Sequence, residues 1–305
     1  MRHFKSISYL LLLFLSLTAA AAVAPGEPAG DPSRESLRSA YQRSAARFAK
    51  SPFGQPIYLE TDDGDRQLTG HAYALLSHPF AEAAKPLSEA AQWCDILLLP
   101  FNTKHCVAAT DTPDRLALTI FVGRKYTTPL DKTQRLDFRF QVASRADDYL
   151  KVLLTAPEGP FGTRNYRVVM ELMPAEGGRA FLHLSYSYAY GTLARAAMQA
   201  YLSTIGAHKV GFTVEGGEPV RGMRGVMERN TMRYYLAIES YLRAQKATPA
   251  ERPARMIDAW FDAVERYPRQ LHELERSEYV SMKRAEFDRM RGGVSPARRT
   301  ASSSP

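Results

Sequence analysis

The sequence predicts an α+β fold, with an antiparallel sheet in the middle of the chain and helices on either side of it. Three observations carry this. Apolar and polar side chains alternate with a period of two through most of residues 116–190. Apolar residues at helical spacing precede that region and return after Gly191. Short turn signals, Asp62-Asp63-Gly64-Asp65 and Glu176-Gly177-Gly178, separate the extended runs.

The chain opens with a basic stretch (Arg2, His3, Lys5), an apolar core from Ile7 to about Leu17, and alanines 19–24 that offer A-x-A cleavage positions. A signal peptide over residues 1–22 is expected, which places the mature chain in the periplasm or outside the cell. The alternative is an inner-membrane anchor through an uncleaved N-terminus, although the apolar core is shorter than the ~20 residues of a span. Cys94 and Cys106 are the only cysteines. In an oxidising compartment they are expected to pair, and closing that loop stabilises by ~3 kcal/mol. Their spacing is far from C-x-x-C. His105 beside Cys106 supplies only a third zinc ligand, so no metal and no cofactor are expected.

Hydrophobic residues make up 45% of the 305, enough for a sizeable core, and the formal charge is +8. Such a surplus favours anionic lipid headgroups or polyanions as surroundings. Much of it lies in the C-terminal third among Glu and Asp, where a solvated helix face is the favoured explanation. No nucleic-acid-binding motif is present.

In chain order, residues 23–35 read as an Ala/Pro/Gly linker. Leu37, Tyr41, Ala45 and Phe48 then mark a short helix. Strands are expected around Ile57–Glu60 and Gln67–Leu76. His78-Pro79-Phe80 opens a helical stretch that Pro86 should break into two pieces, the second ending near Trp93-Cys94 before the apolar run Ile96–Leu99. Strands follow at 116–122, 135–142, 149–155, 166–172 and 181–190, with one buried and one wetter face. A helix at 192–206, a short extended piece at 209–215, a strong helix at 226–244, another around Trp260 and a charged helix over 271–290 complete the ordered chain. Residues 291–305 should be disordered.

Gly70–Leu76, the strand before the helices, and His78-Pro79-Phe80…Leu87…Trp93 resemble the helix-grip fold of the START-like, or polyketide-cyclase-like, superfamily. The resemblance spans about residues 57–215. It implies a curved sheet gripping a long helix, with a cavity for an apolar ligand between them. The expected organisation is a linker and short helix at 23–50, a START-like domain at 51–215, and a helical C-terminal extension at 216–290. Because a minimal domain ends near residue 215, the gripped helix is either the one at 192–206 or the later one at 226–244. The texture also resembles exported bacterial proteins of unassigned function.

Tyr186, Tyr188 and Tyr190 point three rings to one face, as a cavity wall or as packing beneath a helix. Arg229 and Arg233 share a helix face with Tyr234 close by. They could form an anion site or an ion-pair network, and without a ligand they need acidic partners. The expected ligand-binding set is Phe138, Phe140, Tyr186, Tyr188, Tyr201, Arg229, Arg233 and Tyr234. His71, His78, His105, His183 and His208 are scattered along the chain. His183 sits near Ser185 and Ser187, but nothing local completes a triad. The function expected is binding of an apolar or amphipathic small molecule, such as a lipid, in the envelope, with an anionic membrane surface as a further expected contact. The alternatives are a filled-core interaction protein and a cyclase- or hydrolase-type enzyme. A non-enzyme is favoured and no catalytic residue is assigned.

Overall fold

The structure is a computed structural model that describes residues 32–64, 66–112, 115–204 and 206–293. The expected signal peptide, the linker before residue 32 and the tail from residue 294 lie outside the described residues. Helix α1 (Pro32–Ala49) leads into strands β1 (Ile57–Asp63) and β2 (Gln67–Leu76), then helices α2 (Phe80–Leu87) and α3 (Ala90–Leu98). Strands β3 (Thr103–Thr112), β4 (Arg115–Val122), β5 (Gln134–Ala146), β6 (Tyr149–Glu158), β7 (Thr163–Ala175) and β8 (Arg179–Tyr190) follow. Helix α4 (Thr192–Ser203) and a small ribbon, β9 (Val214–Glu215) with β10 (Glu218–Pro219), precede helices α5 (Gly222–Ala244), α6 (Arg252–Glu265), α7 (Pro268–Leu271) and α8 (Arg276–Arg291).

Strands β1–β8 form one antiparallel sheet in the order β1-β2-β8-β7-β6-β5-β4-β3. Helix α5 lies against β1, β2 and β8, while α3 packs on β3 and β4. A strand, two short helices, six antiparallel strands and a long helix on the sheet make up the START-like helix grip. The gripped helix is the later one, so the segment from residue 216, expected as an extension, contains the central element of the fold.

Gly70 shows how closely α5 approaches. A Cβ on Gly70 would overlap Thr231 Oγ1 and come within 2.9 Å of Met227 Cγ, both on α5. Thr231 is β-branched and stiff, so the missing side chain is what lets helix and strand meet. A second close crossing holds the loop before β9. Gly211 runs over Gly225, and Glu228 Oε2 accepts hydrogen bonds from the Phe212 and Thr213 amides at 2.6 and 2.9 Å.

Several sequence expectations need correction. Pro86 lies inside α2, one residue from its end, rather than between helices. Pro86 has no N–H to donate to Glu82 O, so the helix gives up that bond one residue before it ends. Helix α3 does not stop at Trp93-Cys94 but takes in Ile96–Leu98. A short apolar run does not distinguish a buried helix from a strand. The charged helix expected over 271–290 starts later, at Arg276 of α8, and Leu271 instead ends α7. Strand β3 was not expected, because Thr103, Lys104 and His105 are polar and nevertheless buried. They are covered because α8 packs on this edge strand.

Lys283 of α8 is fully buried and donates to the carbonyls of Pro100 and Thr103 at 2.8 and 2.9 Å and to Glu286 Oε2 at 2.8 Å. Lys104 donates to Glu286 Oε1 at 2.9 Å. The same edge is tied inward by a disulfide between Cys94 of α3 and Cys106 of β3, with Cα atoms 5.3 Å apart. Covering and tethering an edge strand in this way blocks sheet extension.

Two outcomes follow. Gly70→Ala should lower stability by about 1–3 kcal/mol, and Gly70→Ala combined with Thr231→Ala should recover most of it in urea unfolding. Burial pulls the Lys283 ammonium down from 10.5 to about 8. Between those values the unfolded chain holds the extra proton, so stability rises with pH across that window. The stability difference between wild type and Lys283→Met should therefore shift toward wild type from about pH 8 to about pH 10, read from denaturation midpoints.

Candidate functional site

Between the inner face of the sheet and helices α3 and α5 lies a cavity of about 70 Å³. Its lining is Trp93, Ile96 and Leu97 of α3, aliphatic and aromatic residues of β4, β5, β7 and β8, Pro160, and Tyr234 and Ile238 of α5. The period-two pattern of each strand supplies these side chains, because alternate residues face α5. No charged side chain is in the lining. The side chains in the lining that carry a polar atom are Tyr166, Tyr186, Tyr234 and Trp93, whose indole N–H is donated to Leu87 O at 2.8 Å.

Tyr186 sits between Tyr166 and Tyr234, with ring centroids 6.1 and 5.2 Å away. The Tyr166 hydroxyl is 2.8 Å from Thr163 Oγ1. Burial pushes Tyr186 well above the ordinary phenol value and Tyr234 up to about 12, so both are neutral at physiological pH. The cavity therefore presents carbon surface and neutral phenols.

Of the expected ligand-binding residues, Phe138, Tyr186 and Tyr234 reach this cavity. Phe140 is buried beside Trp93, and Tyr188 stacks on Tyr166 with centroids 5.3 Å apart, both outside the lining. Tyr201 is on α4, and its side chain lies outside the described residues. Arg229 is buried and donates to Val210 O at 3.3 Å. Arg233 pairs with Glu273 at 2.7 Å, and Glu273 also takes Lys209 at 2.7 Å. Neither arginine is in the cavity lining. Trp93, Tyr166 and Pro160 are lining residues that sequence reasoning did not select. Tyr166 was legible as an inward position of β7, but nothing local set it apart from its neighbours.

A larger depression, about 630 Å³, lies between the end of α5 and α6. Its walls carry Arg243, Lys246, Arg255 and Arg266 together with Glu251, Asp258 and Asp262. Charges of both signs and the absence of an enclosing sheet make it a surface groove. Among the described residues, no group of three His, Cys, Asp or Glu side chains is placed to hold a metal ion.

The outer face of the sheet brings together two of the scattered histidines. His71 Nδ1 and His183 Nε2 are 3.0 Å apart, and His183 Nδ1 is 3.0 Å from Glu171 Oε2. Tyr149 donates to Glu171 Oε1 at 2.6 Å. Burial alone would raise Glu171, but the hydrogen bonds from His183 and Tyr149 outweigh it and hold the carboxyl below its usual value. With Glu171 ionised, His183 donates to it from Nδ1. Tyr73 stacks on His183 with centroids 4.4 Å apart, and Tyr58 stacks on Tyr73. Helix α1 covers part of this face through Leu37, Tyr41 and Phe48, which pack with Phe181. The sheet separates this cluster from the cavity. His78, His105 and His208 are not part of it.

No family model matches the chain, and no curated protein matches it. Solved structures do. A conserved protein from Geobacillus kaustophilus is 14% identical over 57% of this chain and 95% of its own, with a TM-score of 0.35. Norcoclaurine synthase from Thalictrum flavum, in complex with dopamine and hydroxybenzaldehyde, is 12% identical over 63% of this chain and 91% of its own, with a TM-score of 0.36. Human StAR-related lipid transfer protein 5 is 10% identical over 56% and 88%, with a TM-score of 0.31. The synthase and the lipid transfer protein are START-like, one an enzyme and one a lipid carrier. Likeness at this level concerns fold and says nothing of activity. The START-like assignment rests on the strand order and the gripped helix.

The histidine pair gives a pH outcome. Burial, and then the neighbouring His183, pushes His71 below its ordinary 6.5. The stability tied to neutral His71 is complete above that value and is lost as pH falls through the lower folded one. From about pH 7.5 to about pH 5, wild type should lose more stability than His71→Phe, measured by thermal melts.

Proposed function

We propose that this protein carries a neutral, apolar small molecule in the cell envelope, held between the sheet and α5. The supporting observation is the lining itself, which is carbon surface broken only by phenol hydroxyls and an internally bonded indole. A charged headgroup would be desolvated there without a counter-ion, at a cost of several kcal/mol. A single hydroxyl or carbonyl on the ligand could instead meet Tyr186 or Tyr234. The ligand class is therefore a neutral lipid or another apolar molecule with one hydrogen-bonding group. The disulfide suits an extracellular or periplasmic location. Among the described residues no helix is long and apolar enough to cross a membrane.

The cavity must widen to work in this way. At about 70 Å³ it is below the ~150 Å³ that holds a benzene. That small volume favours a second reading, an envelope interaction protein whose aromatics simply fill its core.

Native mass spectrometry of periplasmically expressed protein, followed by organic extraction, separates the two readings. A carrier shows a stoichiometric neutral adduct. Leu184→Phe, which fills the cavity, should lose that adduct while melting within a few degrees of wild type. A clean apo mass, together with no uptake of added neutral lipid by wild type, removes the carrier reading.

A further inference from the structure

We propose that the end of the sheet bearing the β4–β5 loop and the β6–β7 turn docks on an anionic lipid bilayer. The inference rests on the carrier reading, because an apolar ligand is stored in membranes, and it locates the surface of exchange. The cavity lies at this end: Val122 closes β4, Leu136 opens β5, and Pro160 sits in the β6–β7 turn.

Charge is concentrated at the same place. Residues 123–139 and 158–167 carry seven lysines and arginines against three carboxylates, a net +4 out of +8 for the whole chain. Asp137 is already engaged by Arg135 at 2.8 Å, and Asp131 lies 4.0 Å from Lys132. Arg139 and Arg167 are both exposed. They flank Thr155 in one cross-strand row, Ala117–Arg139–Thr155–Arg167–Ser187, which places no carboxylate directly opposite either guanidinium. Beyond Ser187 the row runs through Thr69 to Asp62. The β1–β2 edge of this end is therefore acidic, and docking is confined to the β4–β7 side. The turns at the opposite end have the reverse balance: Asp147, Asp148 and Glu176 outnumber Arg145 and Arg179. An anionic surface attracts one end and repels the other, which orients the molecule with its cavity end toward the lipid. Each Lys or Arg near such a surface contributes about 1 kcal/mol, screened by salt.

Sedimentation with vesicles tests this, using phosphatidylcholine alone and phosphatidylcholine mixed with phosphatidylglycerol. Wild type should bind only the anionic vesicles and be released by high salt. Arg139→Glu with Arg167→Glu should weaken binding by more than about tenfold, with an unchanged melting temperature. The matched pair Arg145→Glu with Arg179→Glu at the opposite end should change it by less than about twofold. No binding to anionic vesicles, equal loss in both pairs, or binding to heparin in preference to vesicles overturns the docking face. Extraction of the same samples keeps the two ideas apart. Ligand carried without vesicle binding removes the docking face alone, and oriented binding by a protein that never carries ligand removes only the carrier reading.

Discussion

Burial of α5 on all sides is the constraint on which the molecule depends. Of its 23 residues, 15 are buried, among them Glu228, Arg229, Thr231, Glu239 and Ser240. One side of the helix lies in the concave sheet, where Gly70 permits contact. The polar groups cannot be satisfied by a sheet whose inner face is hydrocarbon, and an unpaired charge there is costly. Ser240 is satisfied within the helix by Leu236 O, and the second cover supplies partners for others. The Phe212 and Thr213 amides meet Glu228, Glu273 meets Arg233, and Trp260 of α6 donates to Arg233 O at 3.2 Å. The C-terminal helices take part in this cover through Glu273 and Trp260 at Arg233, while Glu228 and Arg229 are met by the 210–213 segment.

The same demand explains the molecule's edges and outer face. Strand β3 tolerates buried Lys104 because α8 brings Glu286 to it, and α8 tolerates buried Lys283 because the Pro100 and Thr103 carbonyls receive it. On the outer face, α1 rests on Phe181 and Tyr149 and is pinned at its ends by Arg34 with Asp148 and Arg47 with Glu60. The Glu171–His183–His71 chain is linked by hydrogen bonds between successive members, with Tyr149 on Glu171, which is how a half-buried polar line persists on a sheet.

The candidate site owes its chemistry to what the strands turn inward. Phe138, Tyr166 and Tyr186 are inward positions of β5, β7 and β8, and the cavity is what remains where α5 offers Tyr234 and Ile238 against them. Its neutrality follows from the separation of functions along α5, where Arg229 meets Val210 O and Arg233 meets Glu273, both outside the cavity lining. The cations at the cavity end of the sheet lie on exposed turns and the outer face, where solvent keeps them charged.

By itself, the sequence determined strands β1, β2 and β4 to β8, the two short helices, the cysteine pair and the inward face of each of these strands. These are carried by local periodicity and spacing, as in Leu136, Phe138 and Phe140, and periodicity survives whatever the strand packs against. Only the tertiary structure decided that α5 rather than α4 is gripped, that Thr103–Cys106 is a buried strand, that His71 meets His183 across 112 residues, and that Arg229 and Arg233 face away from the cavity. Each of these depends on which surface covers a polar side chain. A charged residue reads as exposed in sequence until a distant segment, such as α8 over Lys104, brings the partner that lets it be buried.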